Sequence, residues 1–375
     1  MTKSQQVEHL LLGIIGTVFA LLLQYFISSR PNQNWTTLLN VGKQSAMLEL
    51  FKRDFVNLQP VESIGHDAQF FYIIAKDPFL NQSETKQILQ KTGEHPQYRY
   101  RRIFYPMLAG LGGSLSPNVT LLGLIVLSAL GLGLATWALA GILTLNRRDP
   151  AYALILIFIN PCIWTNIGNL TSDNLSFGLG TAALYYFLKE FLDSSAPSKK
   201  RCAILCLLLC SATLTRETYW LLALSIGLLN ILRGNLKLAF LVWILPILLL
   251  GFWGLLIAFQ TENAFSSIFI SANTLTLPLV GMIEAASNWH NIDTNNLLLT
   301  LATLLMIFAT IIGVARSKQL NYLIICTPWI CLALCAASSV WVLGNNSVRV
   351  FCFFTTLLTI LYAIKPAATN QNKYS

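Results

Sequence analysis

Charge is scarce in this sequence: Asp, Glu, Lys and Arg make up only 11% of its 375 residues, while 55% are hydrophobic. A water-soluble chain carries about a quarter charged residues, so the scarcity excludes an ordinary soluble domain and places the chain in the membrane class. Cysteine is missing from the long polar stretch at about 30–118. All eight cysteines (Cys162, Cys202, Cys206, Cys210, Cys326, Cys331, Cys335, Cys352) sit in or beside apolar runs, which argues against a disulfide framework. Cys202, Cys206 and Cys210 share a helix face and read as small polarizable residues packed between helices. HxxxH, CxxC and DxD spacings are all absent, so the sequence supplies no ligand set for a divalent metal and calls for no cofactor. Internal repeats and low-complexity segments are also lacking, which leaves an inverted-repeat transporter without support. The net charge of +9 does not point to nucleic acid, because the basic residues form short clusters between apolar runs, the pattern that orients membrane spans.

What the chain has in abundance is long apolar segments. Leu10 to Ile27 is one, preceded by Lys3 and followed by Arg30 and Pro31. It exceeds a signal-peptide core and lacks a small-x-small cleavage site, so it reads as a retained first span. Others run at about 119–145, 151–168, 174–190, 202–214, 218–232, 238–259, 295–315, 320–342 and 350–364, roughly ten spans in all. Arg147-Arg148, Lys199-Lys200-Arg201, Arg233 with Lys237, and Arg316 with Lys318 fall at every second connection, and Lys365 follows the last span. The positive-inside rule makes that side, and both termini, cytoplasmic. The stretch 202–232 as one helix would be roughly 46 Å long, too long for a hydrocarbon core of about 30 Å. Two short helices are expected instead, joined at Leu214-Thr215-Arg216-Glu217-Thr218 below the outer surface, where charged backbone must be buried in protein or line a wet cavity. The fold class expected is an all-α polytopic membrane protein. It forms a single integral membrane domain over 1–375, with a first outer loop at 30–118 and the remaining bundle at 119–364.

The first outer loop is too ordered in pattern for a linker. Met47, Leu48, Phe51 and Phe55 recur at helical spacing, which suits an amphipathic helix at the membrane interface. Ser83 and Gly93 bracket a second short helix. Two patches hold the loop's polar groups beside aromatic residues: Gly65-His66-Asp67-Ala68-Gln69-Phe70-Phe71-Tyr72, and Tyr98-Arg99-Tyr100-Arg101-Arg102-Ile103-Phe104-Tyr105-Pro106.

Several residues there have two readings. Asp67 is either an outer-face carboxylate able to take a proton from an acceptor hydroxyl or the cap of a helix starting at Ala68, and spacing alone favours the cap. Asp77, followed by Pro78, is a second candidate acid or a turn residue. Arg99, Arg101 and Arg102 offer guanidinium forks to a phosphate or bind anionic headgroups nonspecifically. In an extended segment Arg99 and Arg101 would share one face, with Arg102 on the other. Arg216 and Glu217 interrupt an apolar region. They either pair with each other or a neighbour, or aim an arginine at a lipid phosphate with the glutamate orienting it. Asp173 and Arg349 are similarly placed at span ends, Asp173 also being a possible helix cap. His66 is open to either reading, and His290 stands in a polar outer loop.

At these residues the chain resembles a known group. HDAQFFYIIAKDPF followed by YRYRRIFYP is similar to the YDGQFYY…A.DPF…YRYRRILYP pattern of bacterial multi-pass proteins related to the GT-C superfamily of glycosyltransferases, and LTRETYW resembles that group's RET segment. The resemblance in span order covers most of the chain. The departures are His66 in place of an aromatic residue, Ala68 for Gly and Phe71 for Tyr. The resemblance implies a GT-C-like fold in the bacterial plasma membrane. It implies an outer-face glycosyltransferase whose catalytic acid lies in the first outer loop, Asp67 leading and Asp77 second, with Gln69, Asp173 and Glu217 in support. The donor would be a sugar on a polyprenyl phosphate, met by Arg99, Arg101, Arg102, Arg216 and Arg349, and the acceptor an unidentified glycan, lipid or protein of the cell envelope. The alternative is a non-catalytic membrane protein that handles or transports polyprenyl phosphates or glycolipids.

Overall fold

The computed structural model describes residues 2–92, 96–191, 198–261, 275–288, 294–317 and 320–342. Among them the regular structure is helical, with only isolated β-bridges. Helix α1 (Lys3–Ser28) leads into a folded cap of short helices: α2 (Leu48–Asp54), α3 (Asp67–Lys76), α4 (Ser83–Lys91), α5 (Pro96–Tyr100) and α6 (Phe104–Ala109). The bundle follows as α7 (Pro117–Leu145), α8 (Tyr152–Phe158), α9 (Pro161–Gly168), α10 (Asp173–Phe191), α11 (Lys199–Thr215), α12 (Trp220–Leu232) and α13 (Leu236–Phe259). It continues with α14 (Val280–Asn288), α15 (Thr294–Ser317), α16 (Leu320–Cys335) and α17 (Ser338–Val342).

Four helical segments are long and apolar enough to cross a bilayer: Lys3–Ser28, Pro117–Leu145, Leu236–Phe259 and Asn296–Gly313. Many of their large apolar side chains are exposed, among them Phe26, Phe240, Phe252, Leu305 and Phe308, whereas the polar His9, Gln24, Ser128 and Thr136 are buried. This inside-out distribution fits a protein whose solvent is hydrocarbon, because polar groups there must be satisfied by the protein itself.

Helix α7 is the central post, packing along both α1 and α10. Small residues allow the approach: a Cβ on Gly178 of α10 would lie 2.2 Å from the Gly131 carbonyl of α7, so only glycine permits that backbone contact. His9 Nε2 lies 2.8 Å from Thr144 Oγ1, which sets the start of α1 beside the end of α7. The segment expected as one span at 151–168 is broken into α8 and α9 at Asn160-Pro161. Proline has no N–H for the helix ladder and drives the residue before it out of helical geometry. The helix pair expected within 202–232 is present, as α11 and α12. The backbone leaves the helix at Arg216 (φ −155°, ψ 119°), and a 3-10 turn, Glu217–Tyr219, leads into α12.

The cap has its own core. Met47, Phe51 and Phe55 pack inward with Leu38, Leu39, Tyr72 and Tyr100, and this core continues onto Leu121, Leu124, Leu175, Trp253 and Ile257 at the ends of α7, α10 and α13. The apolar face of α2 therefore rests on protein, with the Phe51 and Phe55 rings 4.9 and 5.3 Å from the Tyr72 ring, and not on the membrane interface expected for it. A fully buried Phe or Leu contributes roughly 1.5–3 kcal/mol. An exposed pair such as Arg53–Glu84, with side chains 59% and 49% exposed, contributes about 0.2–1 kcal/mol. Apolar packing therefore dominates the cap's cohesion.

Candidate functional site

The cap meets the bundle through polar contacts that the sequence does not advertise. Asn40 donates to Asn169 Oδ1 at 3.0 Å, Trp253 Nε1 to the Tyr100 carbonyl at 2.9 Å, Gln97 to Thr261 Oγ1 at 2.7 Å, and Tyr105 to the Leu124 carbonyl at 2.8 Å. Within the cap, Asp54 accepts from Tyr72 (2.7 Å) and Lys76 (2.8 Å), stapling α2 to α3. Burial, together with this bond to Asp54, raises the Tyr72 hydroxyl pKa well above its ordinary value, so the bond keeps its proton. No motif marks Asn40, Asp54 or Asn169. Their roles come from which loops meet.

Asp67 stands where the cap, its arginine turn and the bundle come together. The N-cap position of α3 is His66, and Asp67 is the first residue inside the helix, so Asp67 is not the N-cap residue that spacing favoured. The Asp67 carboxylate accepts from Arg99 Nη1 at 2.7 Å and lies 3.7 Å from Arg102 Nη1. Arg102 in turn forks onto Glu217, Nε to Oε2 and Nη2 to Oε1, both 3.1 Å. Burial opposes the Arg102 charge, but Glu217 and Asp67 more than offset it, holding the guanidinium above its ordinary pKa. The alternation expected of an extended segment is replaced by a helical turn: α5 ends at Tyr100 and a turn follows. Residues three apart then share a side. Arg99 and Arg102 accordingly converge on Asp67, and Arg101 is the one set apart.

Arg101 has no ion-pair partner among the described residues, and its Nη2 is buried without a hydrogen-bond partner. Its guanidinium sits 5.0 Å from the Tyr98 ring centroid, with Arg99 at 5.3 Å and Arg102 at 5.7 Å from the same ring. Arg99 also covers Phe70 at 3.9 Å. The negative faces of these rings help three guanidinium groups share a small space. Tyr98 is thus a site residue that the aromatic–arginine alternation hinted at without assigning.

The other candidates separate. Arg216 and Glu217 do not pair with each other: Arg216 meets Asp173 of α10 in a buried ion pair, side chains 6% and 2% exposed, and Glu217 takes Arg102. The extended backbone at Arg216 sends successive side chains to opposite sides. Arg216 is therefore enclosed, without the open face that reaching a lipid phosphate requires. Asp77 terminates α3, buried, its carboxylate accepting from the N–H groups of Asn81 (2.9 Å) and Gln82 (2.9 Å), which is turn chemistry. Gln69 is buried and donates to the Ile64 carbonyl at 3.0 Å, bracing the turn at Gly65, whose φ of +87° suits glycine. Ala68 lies in right-handed helix, a conformation that needs no glycine. Arg349 and His290 lie outside the described residues. A cleft of about 280 Å³ opens beside Asp67 and Arg99 and runs past His66 and Phe70 to Lys91. Among the described residues no group of three or more His, Cys, Asp and Glu side chains gathers to hold a metal. No protein-family model, curated protein or solved structure matches the chain.

Proposed function

We propose that this chain is an outer-face membrane glycosyltransferase that moves a sugar from a polyprenyl-phosphate donor to an acceptor hydroxyl. In this reading the shorter apolar helices complete about ten spans, arranged as in GT-C enzymes, with both termini cytoplasmic in a bacterial plasma membrane. The observation that carries the proposal is the convergence of Arg99 and Arg102 on Asp67, with Asp67 and Arg99 lining a cleft and Arg101 lacking an acid partner among the described residues. A lone acid would need only a cap or a single counter-ion. An acid among several guanidinium groups supplies both halves of a transfer from phosphate.

The acceptor oxygen attacks the anomeric carbon, the bond from that carbon to the phosphate oxygen breaks, and its electron pair stays on the phosphate. Arg101 and Arg99 stabilise the charge left there. As Arg99 turns to the phosphate it loosens its bond to Asp67, which takes the acceptor's proton. Glu217 keeps Arg102 in place. A second reading, lipid binding without catalysis, draws on the 2.7 Å Asp67–Arg99 bond, which occupies the acid.

Asp67→Asn decides between them. It keeps the shape and one acceptor oxygen but removes the base. Single-turnover transfer from a lipid-linked sugar should fall by roughly 10²–10⁴-fold while donor binding and folding persist. Full transfer in a folded variant removes Asp67 from the mechanism. Mass spectrometry of co-purifying lipids identifies the donor directly.

A further inference from the structure

At the opposite end of the bundle from the cap, a cleft of about 660 Å³ lies between α11 and α13. Its rim carries Lys199 from the start of α11, Arg233 from the turn after α12 and Lys237 from the first turn of α13. These three cations come from two connections in the chain, Lys199 from that before α11 and Arg233 with Lys237 from that between α12 and α13. None has an ion-pair partner among the described residues, whereas neighbouring Arg201 is committed to Glu190 at 3.0 Å. Among the described residues no acid lines the cleft. Arg233 is held in position by donating to the Phe191 carbonyl at 3.2 Å.

Below the rim the cleft is apolar. Cys202, Ala203 and Cys206 line it from α11, and Leu238, Leu241 and Leu245 from α13. On each helix these residues recur three and four apart, forming a continuous face. From Lys199 to Cys206 that face extends roughly 10 Å along the helix axis, so the cleft has the length of a partly inserted acyl chain beneath a charged rim. Leu241 and Leu245 remain exposed, leaving the groove accessible from the side.

Orientation of the spans requires positive charge in these connections, but it does not require the charges to converge on one apolar-walled cleft. We propose that this cleft binds an anionic phospholipid of the leaflet that the basic loops mark as cytoplasmic. The headgroup phosphate would sit among Lys199, Arg233 and Lys237, and one acyl chain would lie between Cys206 and Leu245. This site is separate from the cap and independent of the transferase reading.

The test is native mass spectrometry of the full chain, purified in detergent and offered equal amounts of dioleoylphosphatidylglycerol and dioleoylphosphatidylcholine. The wild-type protein should retain the anionic lipid preferentially. Lys199→Gln with Lys237→Gln should cut that preference roughly tenfold while leaving Arg233 in place. Leu241→Trp, which fills the apolar part without changing charge, should reduce retention of the anionic lipid and keeps the test sound if the charge variant misfolds. Equal retention of the two lipids by the wild type, or unchanged preference in a folded variant, overturns the proposal. Displacement of the retained lipid by inorganic phosphate alone also overturns it, because the cleft would then read a phosphate and not a lipid.

Discussion

Two ion-pair regions meet at the adjacent residues Arg216 and Glu217, and they differ in surroundings more than in chemistry. Arg216 with Asp173 is enclosed between α11 and α10, its side chains 6% and 2% exposed. The set Asp67, Arg99, Arg102 and Glu217 lies at the junction of cap and bundle, its side chains 11–25% exposed. Burial separates a clamp from a site. Enclosed charges satisfy each other and fix two helices, while part-open charges can exchange a protein partner for a ligand.

The sharpest way to break this comparison is to remove one charge from the enclosed pair. Asp173→Asn leaves Arg216 charged and without its carboxylate, and should cost about 3–5 kcal/mol, the range for a buried pair deprived of one partner. Thermal unfolding in detergent measures it. A loss below about 1 kcal/mol would place Arg216 in contact with water or lipid headgroups and erase the distinction.

A smaller effect is expected at the junction. Glu217→Gln removes the charge that Arg102 forks onto but leaves Arg102 its contact with Asp67, so the loss should be about 1.5–3 kcal/mol, the worth of hydrogen bonds to a charged group. Because Arg102 is shared, the same variant should alter the Asp67 end of the network. Double-mutant cycles with Asp67→Asn should give a coupling of about 0.5–3 kcal/mol. Additive losses would mean that the two ends of the network act independently.

The smallest stability effect should come from Arg101→Gln. With no acid partner among the described residues, Arg101 has little to lose on folding, and the change should stay within about 0.5 kcal/mol. Binding of a polyprenyl phosphate should nonetheless weaken by roughly tenfold, since a charge-assisted bond to phosphate is removed. The stability is read by unfolding and the binding by titration of the lipid into the purified chain. A large stability loss with unchanged binding would assign Arg101 to the clamp.

Much of the architecture was legible because membrane solvent imposes simple rules. Apolar runs in a chain with 11% charge must become helices, since no water is available there to satisfy an open backbone. The break near Arg216 followed from the length of the apolar run and from the charges that interrupt it, and the short helix after His66 followed from its pattern. The span expected at 151–168 failed at Pro161, where the backbone chemistry of proline overrides the apolar run that hydropathy counts as one helix.

The sequence by itself determined that the chain is helical and apolar, and that its polar chemistry is concentrated in the stretch at about 30–118 and at Arg216-Glu217. Only the tertiary structure decided the pairings. Arg216 and Glu217, neighbours in the chain, go to Asp173 and to Arg102, which is 115 residues from Glu217. The helical turn at Tyr98 to Arg102 brings Arg99 and Arg102, not Arg99 and Arg101, onto Asp67. The physical reason is that periodicity along one chain specifies which face a side chain occupies, whereas an ion pair depends on which faces meet when the cap settles on the bundle. That docking is set by apolar packing of residues such as Phe51, Tyr100 and Trp253, and the charges take the partners it brings within reach.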